Sequence, residues 1–376
     1  MDEPHTYTYT VSEEERAARR ARRTAARKRR ERERRRRMLL RLLPALALAV
    51  LAAAASIWLW GLRERADADS PDPGSAIFTP EAMPAADSLS ADPPVPAPDP
   101  VLPPHGAQSG PGTVQLAGEI DSEYGILIDL DAGTILAEKK AGALVSPASM
   151  TKILTVLTAA DHIGGLGGTY VVTQEIADYC RRNNCSVAGF VPGEEVSLTD
   201  LFYGTILPSG ADAALALACY VAGSQEAFVE LMNQKAAELG LSSGARFANC
   251  VGLYDEDNVC TVYDMALVLW AAMDNDVCRE VLTERTRVFP PNEVRETELT
   301  RSNWFIRRIE DHMPAGVQVL GAKTGYVSQS GSCAASFAQD AAGRSYICVT
   351  AKAASAWRCI FDHAALYERC AAPPSE

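Results

Sequence analysis

The chain has 376 residues, 47% of them hydrophobic and 22% charged, with a formal net charge of −12. That apolar fraction excludes a wholly disordered chain, and the acidic balance excludes a protein that binds nucleic acid along its whole length. The charge is unevenly divided. Residues 1–41 hold 15 Lys and Arg against 7 Asp and Glu, which leaves about 20 net negative charges on the remainder.

Residues 1–38 form a basic tail that ends in the arginine-dense run Arg27–Arg37. Residues 39–62 read as a transmembrane anchor. Its 21 residues from Leu42 to Leu62 carry no charge, and at ~1.5 Å per residue they span a hydrocarbon core. Trp58 and Trp60 suit an interface, and the arginines before the span put the N-terminus in the cytoplasm and the rest outside. The expected localisation is therefore a single-pass protein of the cell membrane with an extracytoplasmic body. A cleaved signal peptide, cut within Ala52–Ser56, is the competing reading, but it would leave Ile-Trp-Leu-Trp as a hydrophobic mature end. The tail sets topology and meets anionic lipid; no nucleic acid is needed to explain it.

Residues 63–112 read as a spacer, with twelve prolines scattered among Ala, Asp and Ser. Such a composition buries no core and reaches roughly 40 Å as coil or up to about 150 Å extended. The globular body is expected over 113–376. All ten cysteines fall there. Outside the membrane they could pair, and Cys180/Cys185 and Cys250/Cys260 are close enough in sequence, although a reducing habitat would leave thiols. No C-x-x-C pair or Cys/His cluster suggests a metal.

Within the body, Tyr124–Leu130 and Thr134–Ala137 flank the turn Asp131-Ala-Gly133 as a hairpin. A helix is expected from near Ser149 to Ile163, stopped by Gly164-Gly165. Tyr170–Thr173 and Gly189–Glu194 read as strands, and Thr199–Gly204 as a capped helical turn. Helices follow over Ala211–Val221, Gln225–Leu239 and from Thr261 to about Met273, the last opened by a capping-box-like pair. Leu299–Asn303 reads as the approach to a further helix. Val317–Leu320 then leads into Ala322–Tyr326, Ser332–Ala338 and Ser345–Ala351 form a hairpin, and Ala353–Cys370 closes the chain as a helix. The expected fold class is α/β (α+β), with one antiparallel sheet built from N- and C-terminal strands and a helical middle.

Three short motifs carry chemistry. Ser149 and Lys152 stand three apart at a helix start, so they share a face. A serine hydroxyl is a poor nucleophile until a base such as a neutral lysine amine takes its proton. Ser209-Gly-Ala-Asp212 places a second serine on a loop between helices, where it could relay a proton or merely start a helix. Lys323-Thr-Gly325 lies on a strand, and Gly325 would let a ligand lie along the backbone.

In the order S-x-x-K, S-G-x, K-T-G, the body resembles the penicillin-recognising serine enzymes, in particular the D-alanyl-D-alanine carboxypeptidases of the low-molecular-mass penicillin-binding type. The likeness extends to Ile128–Gly133, Pro147–Lys152, Pro192-Gly-Glu194, Asp200–Gly204, Leu207–Gly210, Asn249–Leu253, Tyr263–Ala266 and Gly321–Tyr326. The resemblance implies a penicillin-binding-protein/β-lactamase-like fold and removal of the terminal D-alanine from peptidoglycan stem pentapeptides. It further implies Ser149 as nucleophile, Lys152 as base and Ser209 as proton carrier. Lys323 and Thr324 would hold the substrate carboxylate, Gly325 would admit the substrate, and the amides of Ser149 and Tyr326 would form the oxyanion hole. β-Lactams would acylate Ser149, and no cofactor or metal is implied. One position departs from the pattern: the family's S-G-N ends here in Ala211. A weakly active or non-catalytic wall-binding protein is therefore the alternative. A β-lactamase, with Glu296 as its deacylating carboxylate, is a further one.

Overall fold

The computed structural model describes residues 105–371. The expected basic tail, anchor and most of the expected spacer lie outside the described residues. Among those described, no helix is long and apolar enough to cross a membrane.

Six strands make one sheet: β1 (Gln108–Gln115), β2 (Tyr124–Asp129), β3 (Thr134–Lys139), β8 (Val317–Val327), β9 (Gly331–Asp340) and β10 (Ser345–Ala353), in the order β1-β3-β2-β10-β9-β8. Only β1 runs parallel to its neighbour. The expected union of chain ends is made where β10 pairs β2, with Ile347 opposite Ile128 and Val349 opposite Ile126. β2 is a central strand, which is why its Ile-Leu-Ile run is fully buried. Successive side chains point to opposite faces. Ile126 and Ile128 enter the core beneath the helical middle, while Leu127 joins a second core under the closing helix.

The helical middle comprises α1 (Thr151–His162), α2 (Gln174–Arg182), α3 (Leu198–Ile206), α4 (Ala211–Ala222), α5 (Gln225–Glu238), α6 (Val262–Asp274) and α7 (Asp276–Thr283). The capping box at α6 is present: Thr261 Oγ1 accepts from Asp264 N at 2.9 Å, and Asp264 Oδ2 accepts from Thr261 N at 2.8 Å. α4 is alanine-rich because it is buried on all sides along Ala211–Ala218. Two further helices, α8 (Trp304–Ile309) and α9 (Ala356–Leu366), cover the other face.

Three local expectations differ. β1 begins inside the stretch read as spacer, because a Gly/Ser/Pro-containing strand at a sheet edge has no apolar alternation to announce it. Gly189–Glu194 is a loop; the adjoining β5 (Glu195–Ser197) pairs β4 (Thr169–Val171) instead. Leu299–Ser302 leads into a helix as expected, but as strand β7, paired with β6 (Thr286–Phe289). Asn303 then caps α8, its Oδ1 accepting from Phe305 N and Ile306 N.

Candidate active site

Ser149 stands on a single 3₁₀ turn, Ala148–Met150, that runs into α1. Ala148 before it is held at φ 48°, a left-handed conformation that a non-glycine residue adopts only where the surroundings impose it. Those surroundings are identifiable. Gly252 (φ 75°) packs so close that a Cβ there would run into the Ala148 carbonyl, and a Cβ on Gly325 would lie 2.9 Å from the Ser149 amide nitrogen. The two glycines let a loop and a strand close on the backbone of Ser149 from two sides.

Lys152, one turn on, is 2% exposed. Its Nζ is 3.3 Å from Ser149 Oγ and donates to the Val251 carbonyl at 2.5 Å. That carbonyl is set by Asn249, whose Oδ1 accepts from Gly252 N at 2.7 Å and Leu253 N at 3.0 Å. Thr155 Oγ1 ties the same loop to α1 through Cys250 O at 2.7 Å. Burial pushes the Lys152 amine down to about 8, against nearby Cys250, Cys185 and Asp212, which favour the charged form. A neutral amine beside a serine hydroxyl is thus accessible near physiological pH.

Ser209 is also held left-handed, at φ 60°. Its Oγ accepts from Lys323 Nζ at 2.8 Å, and Lys323 Nζ donates as well to Thr324 O at 2.8 Å. Lys323 is fully buried, and burial first, then the Lys152 charge, push its amine well below the ordinary lysine range. A ligand carboxylate would supply the counter-charge that favours the ammonium form of this buried amine. Ser149, Ser209, Lys323, Thr324, Gly325 and Tyr326 all line one cleft of about 920 Å³, so the structure brings the sequence-predicted residues together, with Lys152 directly behind Ser149.

Ala211 is 1% exposed, and its N–H donates to Ser186 O at 2.8 Å. No side chain from this position reaches Lys152. Asp212 points away from the cleft, as the helix geometry predicts, and accepts from the backbone N–H groups of Ala188, Gly189 and Phe190 at 2.7, 2.9 and 3.2 Å. It thereby anchors the segment after α2, whose Asn183, Asn184 and Ser186 form a cleft wall that the sequence reading missed. The available signal was the Asn-Asn pair at the end of α2, where Asn184 takes φ 52°. Glu296 is exposed and does not line the cleft. The nine described cysteines are thiols. Cys180 and Cys185 hydrogen-bond to each other, whereas Cys250 Sγ turns to Gln225 Oε1 at 3.5 Å rather than to Cys260.

A mixed sheet with a helical middle, and a serine–lysine pair facing a second serine–lysine pair across a cleft, define the penicillin-recognising DD-peptidase class. Solved structures agree: the Streptomyces K15 DD-transpeptidase superposes with a TM-score of 0.60 at 25% identity, over 66% of this chain and 95% of that one. The D-alanyl-D-alanine carboxypeptidase of Mycobacterium tuberculosis gives 0.59 at 27% identity, over 70% and 97%. Residues 111–355 match the model of peptidase family S11, D-alanyl-D-alanine carboxypeptidase, and the chain belongs to that family. It is 37% identical over 206 residues to the D-alanyl-D-alanine carboxypeptidase DacC of Escherichia coli, covering 53% of this chain and 51% of that protein. It is 31% identical over 230 residues to DacF of Bacillus subtilis, covering 60% and 56%. The chain thus spans about half the length of these curated relatives.

Proposed function

We propose that the chain is a serine-type D-Ala-D-Ala carboxypeptidase that trims peptidoglycan stem pentapeptides outside the cell membrane. The observation that carries this is the buried Lys152 amine 3.3 Å from Ser149 Oγ, in a cleft that also presents Lys323 and Ser209. Ser149 Oγ attacks the carbonyl of the penultimate D-alanine while Lys152 takes its proton. Ser209, linked to Lys323, passes a proton to the departing amine of the last D-alanine. Lys323 and Thr324 hold that residue's carboxylate, and the amides of Ser149 and Tyr326 take the developing oxyanion. Water then attacks the acyl-enzyme and releases the shortened peptide. β-Lactams enter the same sequence and stop at the acyl-enzyme. The N-terminal span Leu42–Leu62 would hold the body at the membrane, with the N-terminus in the cytoplasm.

The test is release of D-alanine from a pentapeptide ending in D-Ala-D-Ala, together with covalent labelling by a fluorescent penicillin. Both are expected in the wild type and neither in Ser149→Ala. Absent wild-type labelling removes the proposal. Ala211 supports a second reading, a wall-binding protein without turnover, since no asparagine amide stands beside Lys152. Slow, stable labelling without D-alanine release, restored to turnover by Ala211→Asn, would favour it.

A further inference from the structure

The close of α2 brings two cysteines together. Asn183 is its C-cap, and Asn184 after it is left-handed at φ 52°. Cys185 N donates to Cys180 O at 2.9 Å, and Asn184 N donates to Arg181 O at 3.4 Å. Nested 6→1 and 5→2 bonds around a left-handed residue are the Schellman close of a helix, which sets the outermost side chains of the motif in contact. Apolar residues usually make that contact. Here both positions are cysteines, and their thiols hydrogen-bond to each other. A disulfide needs Cα atoms ~5.5–6 Å apart with the side chains facing, and a 6→1 main-chain bond beneath touching thiols supplies that geometry.

The two thiols differ in a way that suits exchange. Cys180 is buried and Cys185 half-exposed. The hydrogen bond from Cys180 holds the Cys185 thiol below the ordinary cysteine range, whereas the same bond and burial push Cys180 up. Cys185 is therefore the thiol that meets an oxidant, and Cys180 the one that resolves the mixed disulfide. Among the other described cysteines only Cys219 is half-exposed, and its thiol bonds Tyr170. The pair also adjoins the cleft. Asn183 and Asn184, enclosed between the cysteines, line it together with Ser186. Ser186 O in turn accepts from Ala211 N at 2.8 Å, so this wall is tied to the segment that presents Ser209.

We propose that Cys180 and Cys185 are a disulfide site that fixes the cleft wall under oxidation and releases it under reduction. Cys185 Sγ attacks one sulfur of a small-molecule or protein disulfide and displaces a thiolate. Cys180 then gives its proton to solvent and attacks Cys185 Sγ, displacing the second thiolate. The two cysteines give up two electrons and two protons, and the oxidant leaves as two thiols. A ring closed over residues 180–185 leaves Asn183 and Asn184 fewer conformations, so the bridged wall is set before a ligand arrives. Formation of the bridge does not depend on the carboxypeptidase reading above; its effect on acylation does.

The test equilibrates the full-length chain, solubilised in detergent, with oxidised glutathione, blocks the remaining thiols with a maleimide and digests without reduction. Trypsin cuts after Arg181 and Arg182, between the two cysteines, so a bridge is read by mass as two joined peptides that separate with dithiothreitol. That joined pair is the expected product. Maleimide on both residues, or glutathione left on Cys185, overturns the site. Fluorescent penicillin is expected to acylate the oxidised wild type roughly threefold to tenfold faster than the reduced form. Cys180→Ser with Cys185→Ser should show one rate in both buffers. A bridge with equal wild-type rates, or a difference that survives in the double variant, overturns control of the cleft by this pair. Labelling absent in both states fails the carboxypeptidase reading instead. The wall is then read from native trypsin cleavage at Arg181 and Arg182, both exposed, which should slow severalfold on bridging; unchanged cleavage overturns the fixing of the wall.

Discussion

Lys152 gives the proposed chemistry its pH dependence. Its amine is pushed down to about 8 by burial, and only the neutral form can accept the Ser149 proton. Below that pH the neutral fraction drops tenfold per unit, so acylation measured as kcat/KM should fall with the same slope and level off above it. A profile flat from pH 6 to 9 would exclude Lys152 as the base. Gly325 makes a steric prediction. A Cβ there would meet Cys333 Sγ at 2.8 Å and the Ser149 nitrogen at 2.9 Å, separating strand β8 from the nucleophile. Gly325→Ala should slow penicillin acylation by about a hundredfold, the scale of losing one oxyanion donor. An unchanged labelling rate would show that the contact has room to relax.

At the level of elements, a buried ion pair ties together two segments that are far apart in the chain. Glu194 and Arg295 pair at 3.0 Å with side chains 1% and 7% exposed. Glu194 also accepts from Val191 N at 2.9 Å and Asn292 Nδ2 at 2.7 Å. The pair joins the loop after α2 to the segment between β6 and β7. Removing one partner strands a buried charge, so Arg295→Met should cost about 3–5 kcal/mol in denaturant unfolding. Replacing both residues with apolar ones should cost clearly less than the sum of the single losses. Additive losses would mean that the two charges act independently. The sequence contained Pro192-Gly-Glu194 as a family feature, but nothing local showed that its glutamate would meet an arginine a hundred residues away.

Across the whole molecule, the closing helix α9 docks on the sheet through His363. Its Nδ1 lies 2.7 Å from Ser336 Oγ and its Nε2 3.0 Å from Thr350 Oγ1, and burial pushes the imidazole down to about 3. The folded state therefore resists a proton that the unfolded chain binds near pH 6.5. Stability from this group is complete above about 6.5 and declines by up to roughly 1.4 kcal/mol per unit as pH falls toward 3. His363→Leu should remove one proton from the acid-unfolding slope in that window; an unchanged slope would place the linkage elsewhere. The sequence by itself determined the helical middle between terminal strands and the order of three short motifs, and the likeness of those motifs to the family singled out Ser149, Lys152, Ser209 and Lys323. The helices and strands are written in local periodicity, which needs no distant partner. Tertiary structure alone decided what surrounds those site residues: the Asn249 loop that directs Lys152 and the Asp212-anchored cleft wall. Each of these depends on groups far apart in the chain meeting in a desolvated space, where hydrogen bonding and charge pairing take effect only after the sheet has closed.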